Sequence, residues 1–85
     1  MNRKPVPDSE IKRRAPSTFA VLEFCRAEVA AGRPFPGRGA ISQHFKWSGK
    51  SPASDALSRL VRFGKIFRNR DGQVYRYSLA MGDDE

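Results

Sequence analysis

The chain has 85 residues, with 16 Lys plus Arg against 9 Asp plus Glu, a formal charge of +7 and a pI near 10.3. That is one small domain with a single modest core, and its charge points to a polyanionic partner: DNA, RNA or an anionic membrane surface. One cysteine, Cys25, excludes an intramolecular disulfide, and no apolar run approaches the roughly 18–20 residues of a bilayer span.

The excess charge is unevenly spread: residues 1–16 carry +3, residues 17–80 carry +7 and residues 81–85 carry −3. Met1 to Pro16 has three prolines, scattered charges and one isoleucine. It has too little apolar surface to offset its ordering entropy, so a flexible basic arm is expected. Its Lys12, Arg13 and Arg14 suit either contact with a nucleic-acid backbone or minor groove, or a solubilising tail. Basic residues here have no apolar run behind them, as a secretion signal needs, so a cytoplasmic location is expected, nucleoid-associated when DNA is bound.

From Ser17 or Thr18, either of which suits an N-cap, apolar residues (Phe19, Val21, Leu22, Phe24, Cys25, Val29, Ala30) cover one broad side of a helix running to about Ala31. Gly32 ends it, with Pro34 beyond. Arg33 to Pro36 is held extended by its two prolines, with Phe35 as a core plug and a short edge strand as an option. Gly37 to Phe45 reads as a second helix with Ala40, Ile41 and Phe45 inward and Arg38 and Gln43 outward. Lys46 to Lys50 forms a Gly-containing turn, with Trp47 packing it against the core.

The third helix starts at Ser51 as N-cap, with Pro52 at the first helical position and Gly64 as its left-handed stop. Ala53, Ala56, Leu57, Leu60 and Val61 form its apolar stripe. Ser54, Asp55, Ser58, Arg59 and Arg62 lie opposite, on a polar and basic face of the kind that reads a major groove, or simply faces solvent. After Gly64 the period becomes alternating. Lys65 to Arg68 and Gln73 to Leu79 read as strands joined by a tight turn at Asn69 to Gly72. Met81 to Glu85 is an acidic tail. The expected fold is therefore α+β: a helix-turn-helix within three helices over residues 17–80, then a two-stranded hairpin wing.

Candidate contacts follow from position. Lys46 and Lys50 lie near a helix N-terminus, where phosphates bind. Arg59 is the best placed for guanine, or else for a phosphate. Arg68 and Arg70 are on the wing, with Arg70 at its tip suited to a minor groove. Tyr75 and Tyr77 share a strand face and either pack on the core or stack bases. His44 has no cysteine or carboxylate cluster at metal spacing around it, so no metal and no cofactor are assigned. No phosphate loop, nucleophile set or paired carboxylates suggest an enzyme or a small-molecule substrate.

The stretches VLEFCRAEVAAGRPFPGRGAISQHF and SPASDALSRLVRFGKI resemble winged helix-turn-helix DNA-binding domains and, in layout, the N-terminal domain of the LexA repressors. The resemblance runs from about Thr18 to Leu79. It rests on Gly-x-x-x-Pro after the first helix, an Ile four residues before an apolar one, Ser-Pro opening the third helix, and Leu-x-x-Leu-x-x-x-Gly-x-Ile leading into the wing. Ala40 stands where those domains carry an acidic residue, the Lys46–Lys50 turn is longer by about two residues and the third helix shorter. These 85 residues contain no serine–lysine autoproteolytic domain, so self-cleavage is not carried over.

The resemblance implies that Ser51, Ala53, Ser54, Asp55 and Ser58 face the major groove. The resulting expectation is sequence-specific binding of double-stranded DNA by a small transcriptional regulator, through Arg38, Lys46, Lys50, Ser51, Ser54, Ser58, Arg59, Arg62, Arg68 and Arg70, with a homodimer through the first helix as an option. The alternatives are a protein-interaction adaptor on the same fold and a binder of RNA or single strands.

Overall fold

The computed structural model describes residues 6–72 and 74–80. The expected acidic tail, 81–85, and the first five residues of the expected arm lie outside them. The order of elements is α1 (Asp8–Arg14), α2 (Pro16–Ala30), α3 (Arg38–Phe45), α4 (Ser51–Arg62), β1 (Ile66–Asp71) and β2 (Val74–Leu79). It is a small α+β fold of four helices and one antiparallel hairpin.

The extra helix corrects the expectation of a flexible arm as far as Pro16. Asp8 and Glu10 stand in the first turn of α1 and Lys12, Arg13 and Arg14 in its last, complementing the helix dipole at both ends. Ile11, the one apolar residue of the turn that meets α2, is fully buried. The Asp8 carboxylate then joins three elements, accepting from Arg26 of α2 at 2.7 Å and pairing with Lys65 ahead of β1 at 2.9 Å. Beside it, the Val6 amide donates to the Phe63 carbonyl at 2.9 Å. One isoleucine and one shared carboxylate thus dock a segment that composition alone describes as solvated.

The helix α2 begins at Pro16, whose missing N–H is harmless at a helix start, so neither Ser17 nor Thr18 caps it and Thr18 is buried instead. Val21, Leu22 and Cys25 of α2 meet Ile41 of α3, Ala53, Ala56, Leu57 and Leu60 of α4 and Ile66 of β1 in one core. Phe19, Phe24, Phe35, Phe45, Trp47, Val61, Tyr77 and Leu79 close its edges. Ala40, expected inward, is exposed, and Ser42 is buried in its place, because α3 turns the side carrying Ile41 and Ser42 to the core.

The sheet pairs Ile66 with Leu79 through to Asp71 with Val74. The first strand runs three residues further toward the turn than expected, taking in Asn69, Arg70 and Asp71, while the second begins at Val74 (Gln73, its expected first residue, lies outside the described residues), and the reversal carries Gly72 at φ +67°. No third strand forms at Arg33 to Pro36 among the described residues. Pro34 and Pro36 are alternate residues on the same backbone edge, and neither has an N–H to donate to a neighbouring strand. No helix of the described residues is long and apolar enough to cross a membrane.

Candidate nucleic-acid interface

A tightly packed turn fixes how α3 meets α4. Lys46 closes α3 in the left-handed region (φ +59°, ψ +39°), its amide bonding back to α3 carbonyls, while the Trp47 amide donates to the Ser42 carbonyl at 2.9 Å. The buried Ser42 hydroxyl donates to the Gly49 carbonyl at 2.8 Å, tying the far side of the turn to α3. The Trp47 ring stacks on Phe45 with centroids 5.0 Å apart. Phe45 in turn meets Phe24 edge-on, and His44 stacks on Phe24 at 3.9 Å. The expected packing role of Trp47 is what the rings display.

This turn brings the starts of α3 and α4 together. Arg38, the first residue of α3, donates to the Ser54 hydroxyl in the first turn of α4 at 3.4 Å. The Lys50 stem lies over Gly39, so close that a methyl there would stand 3.8 Å from Lys50 Cε. Arg38, Lys50 and Ser54 therefore form one corner. Lys50, not Ser51, is the N-cap residue: its own backbone is already helical (φ −92°, ψ −10°), so Ser51 becomes the first helical residue and Pro52 the second. No side chain caps the helix, which leaves the first-turn amides of α4 open at this corner.

Along α4, Ser51, Asp55, Ser58, Arg59 and Arg62 are exposed and Ser54 half-buried, so the serine-rich edge is uncovered. Ala53 is fully buried among core residues and has no access to a groove, which corrects its expected place there. Lys46 stands at the opposite end of α3 from the Arg38–Lys50 corner. On the hairpin, Arg68 and Arg70 share a face with Tyr75 and Tyr77 by register. The Arg68 guanidinium lies 5.1 Å from the centre of the Tyr75 ring. Arg70 is one residue short of the tip, and its Nε donates to the Gly72 carbonyl at 3.1 Å, folding the side chain back over the turn.

The charges are segregated. Residues 34–70 carry eight Lys and Arg against one acidic residue, Asp55, a net +7 equal to that of the whole chain, while the remaining residues carry eight of each sign. Apart from Lys65, the ion-paired cations lie outside residues 34–70. Asp8, Glu10 and Glu28 neutralise Arg13, Arg14, Arg26, Arg33 and Lys65. Arg38, Lys46, Lys50, Arg59, Arg62, Arg68 and Arg70 have no carboxylate partner among the described residues. The perturbed ionisations lie outside this basic segment. Hydrogen bonding from Arg26 holds the Asp8 carboxyl down at about 2, and a hydrogen bond from Arg33 lowers Glu28. Burial pushes the Cys25 thiol up to about 12, so it is neither nucleophile nor ready metal ligand.

Sequence reasoning passed over the Asp8 junction, although a signal for it existed. Acidic residues followed by basic ones across Asp8 to Arg14 are a helix-dipole signature, and Ile11 between them marks an inward face. Its partners Arg26 and Lys65 carry no local cue, because only the tertiary fold brings them to Asp8. No known protein family, curated protein or solved structure matches the chain.

Proposed function

We propose that this chain binds double-stranded DNA as a winged helix-turn-helix, acting as a small transcriptional regulator or accessory DNA-binding factor. The exposed edge of α4 enters the major groove. Ser51, Ser54 and Ser58 offer short hydroxyls to base edges, and Arg59 offers a bidentate donor to guanine. Arg38 and Lys50 hold a phosphate at the open start of α4, Arg62 and Lys46 meet the backbone further along, and the hairpin brings Arg68 and Arg70 to the flanking strand.

The observation that carries this reading is that seven described cations without a carboxylate partner, every such cation but Lys12 of α1, fall between Arg38 and Arg70, the stretch that includes the uncovered polar edge of α4. Unpaired like charges on a small domain repel one another, and phosphates relieve that repulsion. With about six phosphate contacts, affinity for duplex DNA falls roughly a thousandfold between 50 and 200 mM salt. A titration of duplex at both salt concentrations checks this, and a flat response refutes the reading. Joint reversal of Arg59→Glu and Arg70→Glu abolishes duplex binding while leaving the melting transition in place, since neither side chain contacts the core.

A further inference from the structure

We propose that the groove between residues 34–37 and β2 takes up an unpaired nucleobase, so that the preferred ligand is a duplex carrying a single-stranded extension. The proposal rests on the duplex-binding reading for its neighbouring cations, and on separate residues for the base itself.

The groove has a volume of about 410 Å³, with walls of Pro34, Phe35, Pro36, Asn69, Tyr75 and Tyr77. It lies within the size range of small-molecule sites and is largely aromatic and apolar with a few polar groups, as such sites are. It stays open for a covalent reason. Pro34 and Pro36 have no N–H to donate, so a strand formed by this segment would lack two ladder bonds along one edge.

The opposite wall is a free strand edge. Ala80 donates to the Lys65 carbonyl at 3.0 Å, which makes that pair a hydrogen-bonded one. Alternation along an antiparallel ladder then turns the N–H and C=O groups of Tyr75 and Tyr77 away from β1. These two residues supply both things a base requires: rings to lie against and in-plane donors and acceptors for its edge. Tyr77 packs on Phe35 with centroids 6.0 Å apart and planes 29° apart, forming a fixed aromatic floor. Tyr75 is 54% exposed and already holds the Arg68 guanidinium near its ring.

The charge around the groove selects the class of ligand. Arg68 and Arg70, on the same hairpin face as the two tyrosines, lack carboxylate partners among the described residues and suit a phosphodiester chain rather than an apolar peptide. A paired base in the interior of a duplex has both faces covered by its neighbours. An unpaired one has a free face and a free edge to offer Tyr75 and its backbone.

The test compares three ligands with the full chain at one salt concentration: a blunt duplex, the same duplex with a short thymidine extension, and the same duplex with an equally long abasic extension. The abasic extension keeps the added phosphates and removes the bases. The thymidine extension is expected to bind at least about fivefold more tightly than the abasic one, the lower end for a single stacked base. Tyr75→Ala brings the two to parity and leaves blunt-duplex affinity within about twofold, whereas Tyr75→Phe keeps the preference. The exposed ring makes loss of folding on Tyr75→Ala unexpected, and a thermal melt checks it. If that variant is unfolded, the comparison of thymidine with abasic extensions on the unaltered chain still decides.

Equal affinity for the two extensions overturns the groove proposal and leaves duplex binding standing. Binding of a thymidine oligomer without binding of blunt duplex supports the groove and overturns the duplex reading. Binding of none of these ligands overturns both. Displacement of the Tyr75 and Tyr77 amide resonances by an extended peptide, with none by thymidine oligomers, overturns the proposal in favour of strand addition.

Discussion

Replacing Ile11 by alanine tests whether the N-terminal segment belongs to the folded domain. The side chain is completely buried between α1 and α2, and truncating a buried isoleucine to alanine costs about 2–5 kcal/mol. The lower part of that range applies here. The helix α1 has seven residues at the margin of the core, so its neighbours can close over part of the space that is left. Undocking of α1 alone also sets a ceiling, because a loss larger than its docking free energy only releases the helix and leaves the α2–α4 core folded. We expect a loss of about 2–3 kcal/mol, a fall in the midpoint of thermal unfolding of roughly 10–20 °C for a domain of this size. Urea unfolding followed by Trp47 fluorescence and by circular dichroism measures it, with the exposed neighbour Lys12→Ala as a control staying within about 0.5 kcal/mol. A change of less than about 0.5 kcal/mol for Ile11→Ala refutes the docking of α1, and the arm expected from composition would then be correct.

Three further outcomes follow from the same geometry. The Asp8 carboxyl is held near 2 in the folded chain against 3.8 unperturbed, so its stabilisation is complete above about pH 4 and is lost as pH falls through about 2. Because the side chain is partly exposed, solvent screening reduces that contribution to about 1 kcal/mol, and Asp8→Asn removes it at pH 7 while flattening stability between pH 4 and pH 2 in acid titrations of unfolding. Cys25, buried with its thiol pushed up to about 12, reacts with a thiol reagent at neutral pH only at the rate of unfolding, and fast labelling of the native chain contradicts its placement. Lys46→Gly separates structure from binding. Relief of the left-handed backbone at φ +59° raises stability by about 1 kcal/mol, while loss of one phosphate contact lowers the slope of log affinity against log salt by about 1.

Much of the fold is legible in the residues because local and tertiary preferences agree. The α4 stripe of Ala53, Ala56, Leu57, Leu60 and Val61 is apolar at helical spacing, buried at the first four positions and half-buried at Val61. Gly32 and Gly64, read as helix stops, both adopt positive φ. The Asp-Gly reversal also lies where the alternating strands demand it. What the sequence hides is pairing at a distance and rotation of short helices. Eight residues of α3 give too few turns for periodicity to decide between Ala40 and Ser42, and the Ser42 hydroxyl is tolerated inside only because Gly49 receives its hydrogen bond. Asp8 is a charge like any other until Arg26 and Lys65 reach it. In the candidate interface, the uncovered edge of α4 was readable. The contact of Arg38 with Ser54 depends on the turn at Lys46 to Lys50, whose left-handed residue is a lysine and carries no glycine signal.

The junction at Asp8 and Val6 also dictates an order of events. The segment that carries Val6 and Asp8 has two of its anchors, the Phe63 carbonyl and the Lys65 ammonium, each 57 residues further along the chain. Contacts so distant along the polypeptide close late, since the intervening loop must lose its entropy first. The helices from α2 to α4 assemble from neighbours, and the leading helix waits beside them until the hairpin base exists to receive it. Amide exchange during refolding should therefore protect Leu57 and Leu60 well before Ile11.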